Sequence, residues 1–176
     1  MRAIFLAVAL STLSAASAFC APAQRYAAVL EGSFFSCTAY SGPFSASGTF
    51  SRYSVEAFLD LDELTNSRVL VILDATSIVS DFILLPDALL RRLLQPELYP
   101  VAVLQTKAIR ATSKQGVYEA DVVLSLLGET NDKTIMISFA HEGQDVRISG
   151  TIDIELVDGR CGVESYSILL RKASVS

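Results

Sequence analysis

From position 146 to 156 the chain alternates with a period of two. Val146, Ile148, Gly150, Ile152, Ile154 and Leu156 fall on one side of an extended backbone. Arg147, Ser149, Thr151, Asp153 and Glu155 fall on the other. Such alternation marks an antiparallel strand with one face in a core and one in water. The pattern recurs. Tyr118, Ala120, Val122, Leu124 and Leu126 alternate with Glu119, Asp121, Val123 and Ser125. Val55, Ala57, Leu59 and Leu61 alternate with Glu56, Phe58, Asp60 and Asp62, and Ile135, Ile137 and Phe139 with Thr134, Met136 and Ser138. Further strands are expected over residues 33–40, 45–50, 69–75, 101–109 and 163–170.

Turn signals separate these runs: Ser41-Gly42-Pro43, Thr65-Asn66-Ser67, Lys114-Gln115-Gly116, Glu129-Thr130-Asn131-Asp132, Glu142-Gly143-Gln144 and Asp158-Gly159. Eight or nine strands joined by short turns form a meander. A meander left open exposes long edges to aggregation, and closure removes them. The expected fold is therefore all-β: a single antiparallel up-and-down barrel of about eight strands. No linker or internal repeat divides it. One segment departs from the pattern. Residues 86–95 place Leu89, Leu90, Leu93 and Leu94 on one face at helical spacing, with Arg91 and Arg92 away from it. Asp87 suits the start of a helix and Pro96 its end. A short helix near one mouth, as plug or as lid, is expected. The apolar run Phe82, Ile83, Leu84 and Leu85 precedes it.

The first 23 residues read as a signal peptide, and residues 24–176 as the domain. Arg2 supplies the charge, residues 3–10 the apolar run, and Ala16-Ser17-Ala18 or Ala21-Pro22-Ala23 the cleavage site. Eight apolar residues fall well short of the roughly 20 that a membrane span needs, and no later stretch supplies them. Export to the periplasm is expected. Cys20 leaves with the second cleavage, so an oxidising compartment favours a Cys37–Cys161 disulfide; the alternative is two buried thiols. A formal net charge of −5 without a basic run excludes a nucleic-acid partner.

Little in the sequence carries chemistry. His141 is the only histidine and stands beside Glu142-Gly143 in an expected turn, without metal-ligand neighbours. No nucleophile elbow or glycine-rich phosphate loop is present. Asp60 and Asp62, and Asp153 and Glu155, read as solvated strand faces. Arg91 and Arg92 form the one candidate anion clamp. No enzyme activity, metal or cofactor is expected.

Tyr26 and Ser33, then Gly48-Thr49-Phe50, Asp74-Ala75-Thr76-Ser77-Ile78, the short helix, Tyr99-Pro100, Gly116-Val117-Tyr118 and the stretch from Leu124 to Gly128 follow one another in an order that resembles the YceI-like family. The likeness runs from Tyr26 to Val163. It departs where the family's helix carries a His (here Leu89) and an aromatic pair (here Leu93-Leu94), in residues 82–85, and at Asp158-Gly159-Arg160-Cys161-Gly162. The resemblance implies a lipocalin-like barrel exported to the periplasm. It also implies an isoprenoid-type amphiphile, a quinone tail or prenyl phosphate, held in the barrel for binding, storage or transport.

A site of that kind needs apolar walls, and each CH2 buried there gains about 0.8 kcal/mol. Phe35, Phe50, Leu89, Leu93, Leu94, Tyr99, Tyr118 and Phe139 are the expected lining, with Arg91 at a headgroup. The alternative is a barrel closed by its own side chains that serves as an interaction module for a protein partner in the cell envelope. An enzyme acting on a lipophilic substrate is the weakest reading.

Overall fold

The computed structural model describes residues 23–41, 43–80, 86–156 and 159–173. Eleven strands occur among them. They are β1 (Gln24–Ala28), β2 (Phe34–Ser41), β3 (Phe44–Phe50), β4 (Tyr53–Leu59), β5 (Arg68–Asp74), β6 (Ile78–Ser80), β7 (Val101–Ala111), β8 (Val117–Leu126), β9 (Glu129–Glu142), β10 (Asp145–Leu156) and β11 (Gly159–Lys172). One helix, α1 (Pro86–Leu94), lies between β6 and β7. Every strand pairing is antiparallel.

Eight strands close in the order β1-β4-β5-β7-β8-β9-β10-β11, with β11 returning to β1. The closing strand β11 serves two neighbours. Its end pairs Leu170, Arg171 and Lys172 with β1, while its earlier part runs beside β2. From there β2, β3 and β6 extend the wall as a flap. The expected barrel is therefore present, with three strands beyond it. β1 and β6 lacked a signal because five and three residues are too short for alternation to register.

The alternation sorts as expected. Val146, Ile148, Ile152 and Ile154 are buried while Thr151 and Asp153 are exposed. Two readings need correction. The turn expected at residues 129–132 is strand, because Leu127 and Gly128 take φ of 55° and 77° and turn the chain in two residues. Asp60 is buried rather than solvated. Its carboxylate accepts from the backbone N–H of Asp62 at 3.1 Å and Glu63 at 3.0 Å, closing the corner after β4.

Two motifs of the family resemblance are structural joints. Ser33 Oγ donates to Val29 O at 2.8 Å and accepts from Leu169 N–H at 2.9 Å, tying the β1–β2 corner to β11. Tyr53 Oη donates to Ser33 O at 2.9 Å. Asp74 caps the 3-10 turn Ala75–Ser77, accepting from Thr76 N–H at 2.9 Å, and its carboxylate takes Arg52 Nε at 2.8 Å. Ser77 Oγ accepts from Arg52 N–H at 2.9 Å, joining this turn to the start of β4.

Helix α1 packs against the flap. Leu90 and Leu93 pack with Ala39 and Ala46, while Leu94 belongs to the main core. Gly48 of β3 makes this approach possible: a Cβ there would stand 2.9 Å from Leu90 Cδ1 and 2.8 Å from Val79 O. Gln95, at φ 42°, closes the helix, and its carbonyl accepts from Leu98 and Tyr99 N–H, each at 2.9 Å. The buried faces of α1 make it a plug. Residues 82–85 lie outside the described residues, as do residues 1–22 of the signal-peptide reading over 1–23.

Candidate functional site: the barrel interior

Inward residues of six strands enclose one apolar space. β5 supplies Val69 and Val71; β7 supplies Leu104, Thr106 and Ile109; β8 supplies Ala120 and Val122. β9 supplies Ile135, Ile137 and Phe139, β10 supplies Ile148, and β11 supplies Tyr166 and Ile168. The cavity measures about 20 Å³, room for about one water.

Polar groups at this wall are few. Thr106 Oγ1 is occupied by strand β5, accepting from Val69 N–H at 2.8 Å. Burial pushes the Tyr166 phenol well above its usual range, so the hydroxyl stays neutral. The Tyr166 ring stacks near Phe35 at 6.2 Å between centroids, and Phe35 meets Tyr53 edge-on at 4.8 Å. Chemically, the interior suits hydrocarbon: no charged side chain lines the cavity.

The residues expected to line a ligand site are spread over several environments. Phe139 lies at the cavity, and Tyr118 meets it edge-on at 5.2 Å. Phe35, Phe50 and Leu94 belong to the surrounding core. Leu93 packs between α1 and the flap. Tyr99 is 36% exposed and covers Gly128. Arg91 is exposed and pairs with Glu97 at 2.8 Å. The side chain of Leu89 lies outside the described residues. Ile137 and Tyr166 were missed. The signal for Tyr166 is blurred because β11 carries an extra residue between Gly162 and Ser165, which shifts its alternation.

His141 is exposed at the end of β9, opposite Val146. Arg147 is held by the Glu142 carboxylate, and it also donates to Ser167 Oγ at 2.7 Å and Gly32 O at 2.9 Å. Cys37 is buried in the core. Strand register sets Cys161 opposite Ala39, two residues from Cys37; the Cys161 side chain lies outside the described residues. Among the described residues no group of His, Cys, Asp or Glu is arranged to hold a metal. No helix among them is long and apolar enough to cross a membrane.

The profile of the YceI-like domain matches residues 20–162. The chain belongs to the YceI-like family. Solved structures share the fold. BcnA of Burkholderia cenocepacia superposes with a TM-score of 0.69 at 15% identity, over 81% of this chain and 98% of that one. A polyisoprenoid binding domain from Saccharophagus degradans, implicated in plant cell wall breakdown, gives 0.56 at 10% identity, over 86% and 99%. The Campylobacter jejuni YCEI protein gives 0.55 at 14% identity, over 69% and 83%. A search of curated protein sequences gave no match. At these identities the YceI-like likeness speaks for the barrel and its plug, while the residues at the cavity are this chain's own.

Proposed function

We propose that this YceI-like protein binds a single-chain amphiphile of the isoprenoid type, with the apolar chain inside the barrel and the polar end outside. The observation that carries the proposal is the cavity wall: six strands converge on it with hydrocarbon, its Thr106 hydroxyl is already spent on the backbone, and its other hydroxyl, of Tyr166, is kept neutral by burial. A neighbour of the same fold is named for polyisoprenoid binding. The chain would displace side chains on binding, since about 20 Å³ does not hold an isoprene unit. Hydrocarbon in water is costly, at about 0.8 kcal/mol per CH2, so such a displacement is repaid as the chain is buried. Nothing in this role requires a reaction or a cofactor. The pattern of residues 1–23 supports action in the periplasm, where Cys37 and Cys161 on neighbouring strands would be bridged.

The test is native mass spectrometry of protein purified from the periplasm, with an organic extract of the same sample. A dissociable mass matching an isoprenoid or other lipid supports the reading. A clean apo mass after incubation with quinones and prenyl phosphates overturns it. The same spectrum reports on the bridge, which removes about 2 Da. The smallness of the cavity favours a second reading: a filled barrel that binds a protein partner in the envelope. The apo outcome selects it.

A further inference from the structure

The barrel wall is unevenly bonded. β9 and β10 pair from Glu142 opposite Asp145 to Ile137 opposite Gly150. Beyond that point they part. Residues 129–136 of β9 stay in register with β8, and residues 152–156 of β10 with β11. Among the described residues no backbone pairing joins β9 to β10 past the fork. On the parted stretches Ile135, Ile152 and Ile154 are buried, exposed by 8%, 5% and 7%.

Three features meet at the fork. β11 places an extra residue against β10 between Gly150 and Ile152, a bulge that interrupts the ladder. Gly150 has no space for a side chain: a Cβ would lie 2.6 Å from Tyr166 Oη and 2.8 Å from Met136 O. The phenol thus covers bare backbone where the strands separate. Outside lies an open groove of about 380 Å³, walled by Phe34, Met136, Ser138, Ser149 and Thr151. Tyr166 and Ile137 line both this groove and the inner cavity. They are the partition between the two.

We propose that the fork between β9 and β10 is a side portal through which the apolar chain of an amphiphile reaches the interior, with the Tyr166 ring as its gate. This rests on the interior being the ligand site. Where the ladders are continuous, opening the wall breaks hydrogen bonds worth about 1 kcal/mol each. At the fork it parts only side-chain contacts. The side covered by α1 is a poorer route, because the helix buries Leu90, Leu93 and Leu94 against the flap and the core. The groove has the right mixture for an amphiphile. Phe34 and Met136 are 42% and 49% exposed, and the hydroxyls of Ser138, Ser149 and Thr151 stand beside them for a polar end.

Ser138 and Ser149 are register partners with hydroxyls 2.8 Å apart, close enough for a disulfide between cysteines at those positions. The experiment follows uptake of a fluorescent farnesyl phosphate by the full chain in stopped flow. Oxidised S138C/S149C should take up the probe at least about tenfold more slowly than the same variant reduced. The parent protein under the same reductant controls for Cys37 and Cys161. Tyr166→Ala should speed uptake several-fold, and Tyr166→Phe, which keeps the ring, should stay near the parent. Equal rates for the oxidised and reduced variant, with the probe bound by both, overturn the portal and leave the interior site standing. Failure of the parent to bind the probe at any concentration overturns both.

Discussion

Gly48 shows how much a single hydrogen in place of a methyl decides. The helix lies on β3 only because Leu90 Cδ1 and Val79 O occupy the space a Cβ would need. Gly48→Ala should destabilise the fold by about 1–3 kcal/mol through overpacking, read as a lower urea midpoint. An unchanged midpoint would mean that α1 does not sit on β3. On the outer face Arg110 grips Asp121 through both nitrogens, one of them at 2.8 Å, and Thr134 Oγ1 adds a third bond at 2.8 Å. These bonds hold the Asp121 carboxyl down from 3.8 to about 2. A depressed carboxyl stabilises the folded state above its unfolded value and loses that contribution as pH falls through the folded one. The melting temperature of the parent should exceed that of Asp121→Asn at about pH 6, and the gap should close as pH approaches 2. A gap independent of pH would show that the carboxylate's charge plays no part. Neither feature was legible beforehand. In sequence Gly48 is part of a Gly-Thr-Phe motif and Asp121 one polar position on a strand; their neighbours come from β6, α1, β7 and β9.

Elements divide into those that period two announces and those that only contacts create. β10 and β8 carried long alternations and were read correctly from their residues. β1 and β6 exist because β4 and β3 offer them open edges. The helix was legible as a helix, from four leucines at helical spacing, but whether it was plug or lid was not. Burial of Leu90 and Leu94 makes it a plug. Leu90→Ala should therefore cost about 2–5 kcal/mol, as for any large-to-small change in a core, and be measurable by denaturant unfolding. A lid lying loosely on the mouth would show almost none of that loss.

For the molecule as a whole, the interior is the contested volume. If an apolar chain occupies it, saturating ligand should raise stability by about 2.7 kcal/mol at a hundred times Kd. Ala120, fully buried at the cavity wall, is the position to fill. Ala120→Leu should weaken binding of a prenyl phosphate at least about tenfold while the circular dichroism of the barrel persists, at an overpacking cost of about 1–3 kcal/mol. Undiminished binding would place the ligand outside the barrel. By itself the sequence determined what depends on neighbours along the chain: the strands with strong alternation, the short helix, the turns rich in Gly, Asn and Asp, and hence a closed antiparallel barrel of the YceI-like kind. Period two follows directly from the geometry of an extended backbone, so it can be read in one dimension. Tertiary structure decided the rest: the flap of β2, β3 and β6, the buried role of Asp60, the small apolar cavity between six strands, and the fork where Tyr166 meets Gly150. Each of these depends on strand register, and register is set by which edges meet after the barrel closes.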